Sequence, residues 1–385
     1  MQQVFNQTDN ILKEIDLRKD LLAQLVKITK IPSPTGHEEQ KILFIKSKLQ
    51  KYGYKNVLID KAGNCILKLP SKLDPKKKTI LIVAHTDTAC NPGKKVTITE
   101  DKKFIYGHGV CDNSAGVLSL LTSIYLINKY AIKFPHNLIF GFTVGEEGLG
   151  AKRGMKQIIK DYEKQIDGVI NIESHHIGRV TNQAIGQYRS KILVDTKLGG
   201  HSFRDFGRPN ANVILAQIIS IFSSVKLPQS KWKTTFNIGQ MAGEGSINSI
   251  AKEASCLFEI RSENDQYLKK TKKAFESIIK KSQKKYPKVQ IINSVLAETP
   301  AVIFSPNHKI YELTIAAQKQ LGITPKINAG NTDGDVSLAK NIPTVTIGTS
   351  EGWNTHSLEE YMEKKSLSLG IKQAFLVIHE IASNL

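Results

Sequence analysis

Two adjacent glutamates, Glu146 and Glu147, follow the apolar run "NLIFGF" in the stretch "TVGEEGLG" (143–150), with glycines and apolar residues around them rather than lysines. Neighbouring carboxylates repel one another unless a cation neutralises them or one of them holds a proton. Other short stretches carry the residues that bind such cations. "AHTDT" supplies His85 and Asp87, "GHGVCDNSAG" supplies Asp112, "NIESHH" supplies Glu173, and "NTHS" supplies His356. Mixed imidazole and carboxylate donors suit Zn²⁺, with Co²⁺ or Mn²⁺ as substitutes. Two divalent ions bridged by one carboxylate are a recurrent hydrolytic device. Five ligands with one bridge would serve it, leaving one glutamate over to deprotonate water. Residues two apart on a strand face the same way, so Asp87 can take the free ring N–H of His85 and fix its tautomer. Within "NIESHH", His175 and His176 are alternative donors to Glu173.

Such residues need strands that end together. "KKTILIVAH", "NLIFGFTVG" and "DGVINIES" read as short buried strands of an α/β sheet, and ligand sites form at the carboxyl ends of such strands. "HEEQKILFIKSKLQKYG" (37–53) has helical periodicity and ends at a glycine. "DNSAGVLSLLTSIYLINKY" (112–130) is an expected helix, with Asp112 as its capping carboxylate. His108 is expected to serve the turn before it, and Cys111 to be a small packed residue.

The character changes near residue 186. A strand ("QYRSKILVDTKLG"), a helix ("NANVILAQIISIFSSV"), two strands ("TTFNIGQMA", "ASCLFEIRS"), a lysine-rich helix and a strand ("VQIINSVLA") follow. That βαββαβ order is the split βαβ, ferredoxin-like arrangement. The first pattern resumes after residue 298 with "TVTIG" and a terminal helix. The expected fold is therefore an α/β catalytic domain, residues 1–185 and 299–385, with a mixed sheet flanked by helices. An α+β domain, residues 186–298, is inserted into it.

A chain of 385 residues, 40% hydrophobic, is long enough for two cores. The first twenty residues lack the apolar stretch of a signal peptide, and no later run is expected to approach the length and apolarity of a membrane span. Four cysteines without C-x-x-C spacing fit reduced thiols and a cytoplasmic location. The net charge of +19 comes mostly from lysines strewn over helix faces, as in "NDQYLKKTKKAFESIIKKSQKKYPK" (264–288). Arginine forks with interleaved aromatics, which a nucleic-acid groove favours, are scarce. A solvated surface is expected, with neither nucleic acid nor membrane as a partner.

In order along the chain, "AHTDT", "GVCDNSAG", "GEEGLGAKRG", "NIES" and the late "TH" resemble the M20 family of zinc metallopeptidases and deacylases. The resemblance runs from "IPSPTGHEE" (31–39) to "NTHS" (354–357). It implies two Zn²⁺ ions bridged by Asp112, with Glu147 and His356 completing one site and His85 and Glu173 the other. Asp87 would then orient His85, and Glu146 would be the general base. The inserted domain becomes a lid that forms a homodimer interface. "LGGHSFRDFGRPNAN" (198–212) resembles the segment whose histidine reaches a neighbouring active site, so His201 would bind the oxyanion. "GEGSINSIAKEASCLFEIR" (243–261) resembles the segment that holds a substrate carboxylate, here through Arg261 and Asn248. The proline often found after that asparagine is missing from "NSIAKEA".

The expected activity is amide hydrolysis in a small carboxylate-bearing substrate, by a di- or tripeptidase. "GEEGLGAKRG" and "GGHSFRDFG" look most like peptidase T-like members. Glu173 resembles instead the N-acyl amino acid deacylases and carboxypeptidases, because aminopeptidase-like members tend to have Asp there. A third reading is an inactive binding or scaffold protein on this fold, against which the complete donor set argues.

Overall fold

The computed structural model describes residues 2–90, 93, 95–305 and 307–385. The chain forms two compact units, one from residues 1–182 and 303–385 and one from residues 183–302.

In the first unit the strands Thr79–His85 and Asn137–Thr143 are buried at every position, as strands covered on both faces must be. Their side chains alternate between two cores. Ile80, Ile82 and Ala84 pack with helices Gly116–Lys129 and Ser366–Asn384, whereas Leu81 and Val83 pack with Met155, Ile158 and Ile159 of helix Arg153–Tyr162. Four strands lie side by side and parallel, in the order Asn137–Thr143, Thr79–His85, Gly168–His175 and Thr344–Ser350. In register, His85 pairs with Thr143 and Glu173 with Gly348. The carboxyl ends of all four strands therefore meet at one edge. Antiparallel strands Cys65–Leu69 and Arg179–Ala184 extend the sheet on either side, which makes it mixed.

Two expectations need correction. The predicted helix begins at Gly116, and Asp112 lies ahead of it in an irregular turn, Val110–Ala115, with φ −103° and ψ 94°. Asp112 therefore does not cap the helix; its carboxylate faces His85 instead. Asn113 ties this turn to the sheet, its amide donating to the Ile172 carbonyl at 2.9 Å. Second, Val110–Lys129 does have the length and apolarity of a membrane span, with a mean hydropathy of 1.4, yet 94% of it is buried inside the protein. It is a core helix: the sheet covers one side and the terminal helix another.

The second unit is an antiparallel sheet in the order Thr234–Gly243, Glu253–Ser262, Gly186–Asp195, Gln290–Thr299. Along Glu253–Ser262 buried and half-buried positions alternate, so one face is covered. The cover is two helices, Ala211–Ser223 and Asp265–Lys285, held by Phe222, Phe258 and Phe275. Each starts on an asparagine that caps it: Asn210 accepts from Asn212 N–H and Asn264 from Tyr267 N–H.

Candidate metal centre and active site

All of the singled-out residues of the first unit gather at the shared sheet edge. His85 is the last residue of its strand, and its Nε2 lies 3.0 Å from Asp112 Oδ1 and 3.5 Å from Glu173 Oε2. The other oxygen of Asp112, Oδ2, faces His356 Nε2 at 3.4 Å, and His356 Nε2 is 3.2 Å from Glu147 Oε1. Three groups result, His85–Asp112–Glu173, Asp112–Glu147–His356 and His85–Glu146–Glu147, in each of which one donor atom per residue falls within 4.8 Å of the others. Asp112 belongs to the first two, and Glu146 only to the third. Among the described residues neither His175 nor His176 joins such a group. His175 pairs with Ser174 Oγ and His176 with Glu351.

The glutamate turn is held by carboxylates rather than cations. Gly145 takes φ +65°, which a residue with a side chain rarely adopts, and reverses the chain. Asp87 then accepts both following backbone N–H groups, Glu146 at 3.0 Å and Glu147 at 2.9 Å, together with Thr35 Oγ1 at 2.9 Å. Its approach to His85 Nδ1 is longer, 3.5 Å, and the ring nitrogen has no closer partner. Asp87 thus positions the glutamates at least as firmly as it orients the histidine. Glu38, almost fully buried, staples the same turn: Oε1 accepts Gly145 N–H at 3.0 Å and Oε2 takes Arg153 at 2.8 Å.

The electrostatics are those of a cation site. Asp87, Asp112, Glu147 and Glu173 are at most 7% exposed, and among the described residues no lysine or arginine ion-pairs with them. Burial raises the carboxyl of Glu146 well above its ordinary value; His85 opposes this, and Glu147, Glu173 and Asp333 add to it. Burial also raises Glu147, against the pull of His356. Asp333, buried with one oxygen on Thr143 Oγ1 and the other without a partner, is pushed up to about 7 by burial. Burial works against a charge on His85, but Glu173, Asp112 and Asp87 outweigh it and raise the ring well above its usual value. Asp112 goes the other way: despite burial, His356 and His85 hold it far below the carboxylate range. Repelled carboxylates with two imidazoles and a shared bridge fit two divalent cations.

Groups raised in the folded state keep protons that the unfolded chain has released, so stability falls as pH rises. For Glu146 and Glu147 the loss begins above pH 4.5, for Asp333 it runs to about pH 7, and for His85 it begins above pH 6.5. Divalent metal replaces those protons and removes the repulsion. The gain in Tm when Zn²⁺ or Co²⁺ is added to chelator-stripped protein should therefore widen between roughly pH 5.5 and 8.5. Thermal melts with and without metal measure this gap; one that is flat across pH would count against the cluster.

The three other site residues lie in the second unit. His201 accepts the backbone N–H groups of Phe203 (3.2 Å) and Arg204 (3.4 Å) on Nδ1, which assigns the proton to Nε2 and makes that nitrogen a donor. Asn248 is exposed in a turn, its Oδ1 accepting from Ser246 Oγ at 2.9 Å. Arg261 pairs with Glu259 at 3.1 Å, the carboxylate that also holds Arg189.

Sequence reasoning passed over Glu38, Asp333 and Glu360. Glu38 and Glu360 are each one member of an adjacent glutamate pair, and nothing local tells which member is buried. Both are at most 2% exposed, while their neighbours Glu39 and Glu359 are exposed.

Peptidase T of Fusobacterium nucleatum is 23% identical over 88% of this chain and 89% of its own. A LysW-lysine/LysW-ornithine hydrolase of Saccharolobus solfataricus is also 23% identical, over 78% of this chain and 81% of its own. Among solved structures, a tripeptidase from Staphylococcus aureus superposes with a TM-score of 0.76 at 23% identity, covering 94% of this chain and 98% of that one. Residues 81–380 match the model of Peptidase family M20/M25/M40, which spans both units, and the chain belongs to that family.

Proposed function

We propose that the protein is a two-metal peptidase that cleaves di- or tripeptides, working as a cytoplasmic homodimer. The observation that carries the proposal is Asp112, whose two oxygens face two different histidines, each within a separate donor group. His85 and Glu173 would hold one ion, Glu147 and His356 the other, with Asp112 between them. Zn²⁺ suits this donor set, and Co²⁺ or Mn²⁺ could replace it. When bound, such ions acidify water and polarise the scissile carbonyl.

The chain's own residues supply the rest. Glu146 has no ion-pair partner among the described residues, and its raised carboxyl suits a group that must take a proton near neutral pH. It removes a proton from the attacking water and delivers it to the leaving amine. Asp87 fixes where Glu146 stands through the backbone N–H it holds. His201 presents its Nε2–H as an oxyanion donor, and the inserted unit is read as a lid and dimerisation surface. Arg261, with Asn248 from the same segment (243–261), anchors the substrate carboxylate.

A second reading, N-acyl amino acid deacylase, has Glu173 in its favour, a position where aminopeptidase-like members of the family tend to have Asp. A panel of dipeptides, tripeptides and N-acyl amino acids, with released amine detected, tests both. Peptide turnover that chelators abolish supports the first; turnover of N-acyl amino acids alone supports the second. No turnover of either class with metal bound would leave only a binding protein. Arg261→Ala should raise KM about tenfold for substrates with a free carboxylate and leave kcat nearly unchanged. Its bond to Glu259 keeps the effect near the lower end for a charged hydrogen bond.

A further inference from the structure

Arg179 opens the strand Arg179–Ala184, which runs back from the edge where the metal donors gather. Register fixes its place. Thr346 pairs with Thr181 across that antiparallel step, so Arg179 stands level with Gly348. Gly348 pairs on its other side with Glu173. Neighbouring strands lie about 4.8 Å apart, which separates the backbones of Arg179 and Glu173 by about 10 Å. Residues level with one another across a sheet share a face, and the bonds agree. Asn171 donates to Glu173 Oε1 and to Thr346 Oγ1, each at 3.3 Å, and Arg179 Nε donates to Thr181 Oγ1 at 2.8 Å. The Arg179 side chain therefore lies on the face from which Glu173 projects. It also reaches back towards it, Nη1 donating at 3.2 Å to the carbonyl of His175 on the Glu173 strand.

Among the described residues no carboxylate ion-pairs with this guanidinium; its bonds go to neutral oxygens. Other cations near the site are matched. Lys152 lies 2.5 Å from Asp335, and Arg153 lies 2.8 Å from Glu38. Asp335 feels the charge of Arg179, but its carboxylate is taken by Lys152. Arg179 is half-buried, and a charge drawn partly out of water without a counter-charge is unfavourable until an anion meets it. A guanidinium has five N–H donors, and both of those on Nη2 are left without an acceptor among the described residues. Nη2 lies against Gly330, the last residue of strand Lys326–Gly330, where a Cβ would come within 2.6 Å of it. The missing side chain leaves that end of the fork uncovered.

We propose that Arg179 forms a subsite for the side-chain carboxylate of an acidic residue, so that the protein favours small peptides containing Glu or Asp. The proposal rests on the peptidase reading, with the substrate's terminal carboxylate left to Arg261. A guanidinium fork offers a carboxylate two parallel N–H groups and a full charge. A glutamine side chain of the same size accepts a bond there but brings no charge.

Four dipeptides test this: Ala-Glu and Glu-Ala against their amide counterparts Ala-Gln and Gln-Ala. Wild type should have a KM about 10- to 100-fold lower for one glutamate peptide than for its glutamine counterpart. Arg179→Gln should abolish that gap and change KM for the glutamine peptides less than twofold. Arg179→Lys, which keeps the charge and loses the fork, should retain part of the gap. If Arg179 only steadied the turn at His175, Arg179→Gln would impair all four peptides alike, and that outcome would overturn the proposal. So would a wild type that does not distinguish glutamate from glutamine, however the variants fold. If wild type hydrolyses none of the four, the peptidase reading fails separately, and calorimetry with the same peptides decides the subsite. Tighter binding of a glutamate peptide, lost in Arg179→Gln, would uphold it; equal binding within each pair would sink it.

Discussion

Glu146→Gln should lower kcat by about 10³-fold while the bound metal stays at the wild-type level. The substitution keeps size and shape and leaves the backbone N–H that Asp87 holds, so the turn has no reason to move. What it removes is a glutamate carboxylate that the geometry leaves outside both Asp112-centred groups. An amide cannot take up the proton of the attacking water. The same change should raise the Tm of metal-free protein at alkaline pH, because it deletes a buried carboxylate that Glu147, Glu173 and Asp333 all disfavour. Activity lost and stability gained at one position is the expected mark of a residue held in an unfavourable state for its chemistry. Glu147→Gln is the control. Its carboxylate contacts His356, so that variant should lose affinity for one ion. A Glu146→Gln protein that turns over normally, or loses metal as Glu147→Gln should, means that the two glutamates have been assigned the wrong way round.

Much of this arrangement is legible in residue order because the sheet is simple. Apolar runs that end in His85, just before Glu146 and just after Glu173 mark buried parallel strands, and the carboxyl ends of parallel neighbours must fall on one edge. The βαββαβ order of the second unit is legible for the same reason: each helix signal sits between β-rich runs, with an asparagine cap at its start. The details that escaped are non-local. Asp112 reads as a helix cap because an Asp ahead of an apolar helical run is what a cap looks like. Its backbone is drawn away by Glu360, 248 residues later. Asp87 looks like a partner for His85 because it stands two residues on in a run that reads as a strand, but the strand ends at His85 and the shorter bonds of Asp87 go to residues 59 and 60 positions away. Buried carboxylates such as Glu38 and Glu360 carry no local signature, since their partners are backbone N–H groups that every residue possesses.

Asp112→Ala should have the widest effect of any single change, removing both ions and reducing activity to the level of chelated enzyme. The reason is the bridging role proposed for it. His356→Ala takes a donor from one group and His85→Ala from the other, so each should weaken mainly one ion. Asp112 is common to both groups, and its loss should equal the two histidine substitutions combined rather than either alone. The metal-free protein responds differently. Asp112 is ionised far below the usual carboxylate range in the folded state, so its contribution to stability is present above pH 3.8 and lost as pH falls. Removing it leaves His85, 1% exposed, without its 3.0 Å partner, and the metal-free variant should melt lower than metal-free wild type at neutral pH. Elemental analysis of the purified variants, with melts of the stripped proteins, measures both halves. An Asp112→Ala protein that keeps two ions would show that Asp112 does not bridge them. One that keeps a single ion would make Asp112 a ligand of one site only, and the double-histidine equivalence would fail with it.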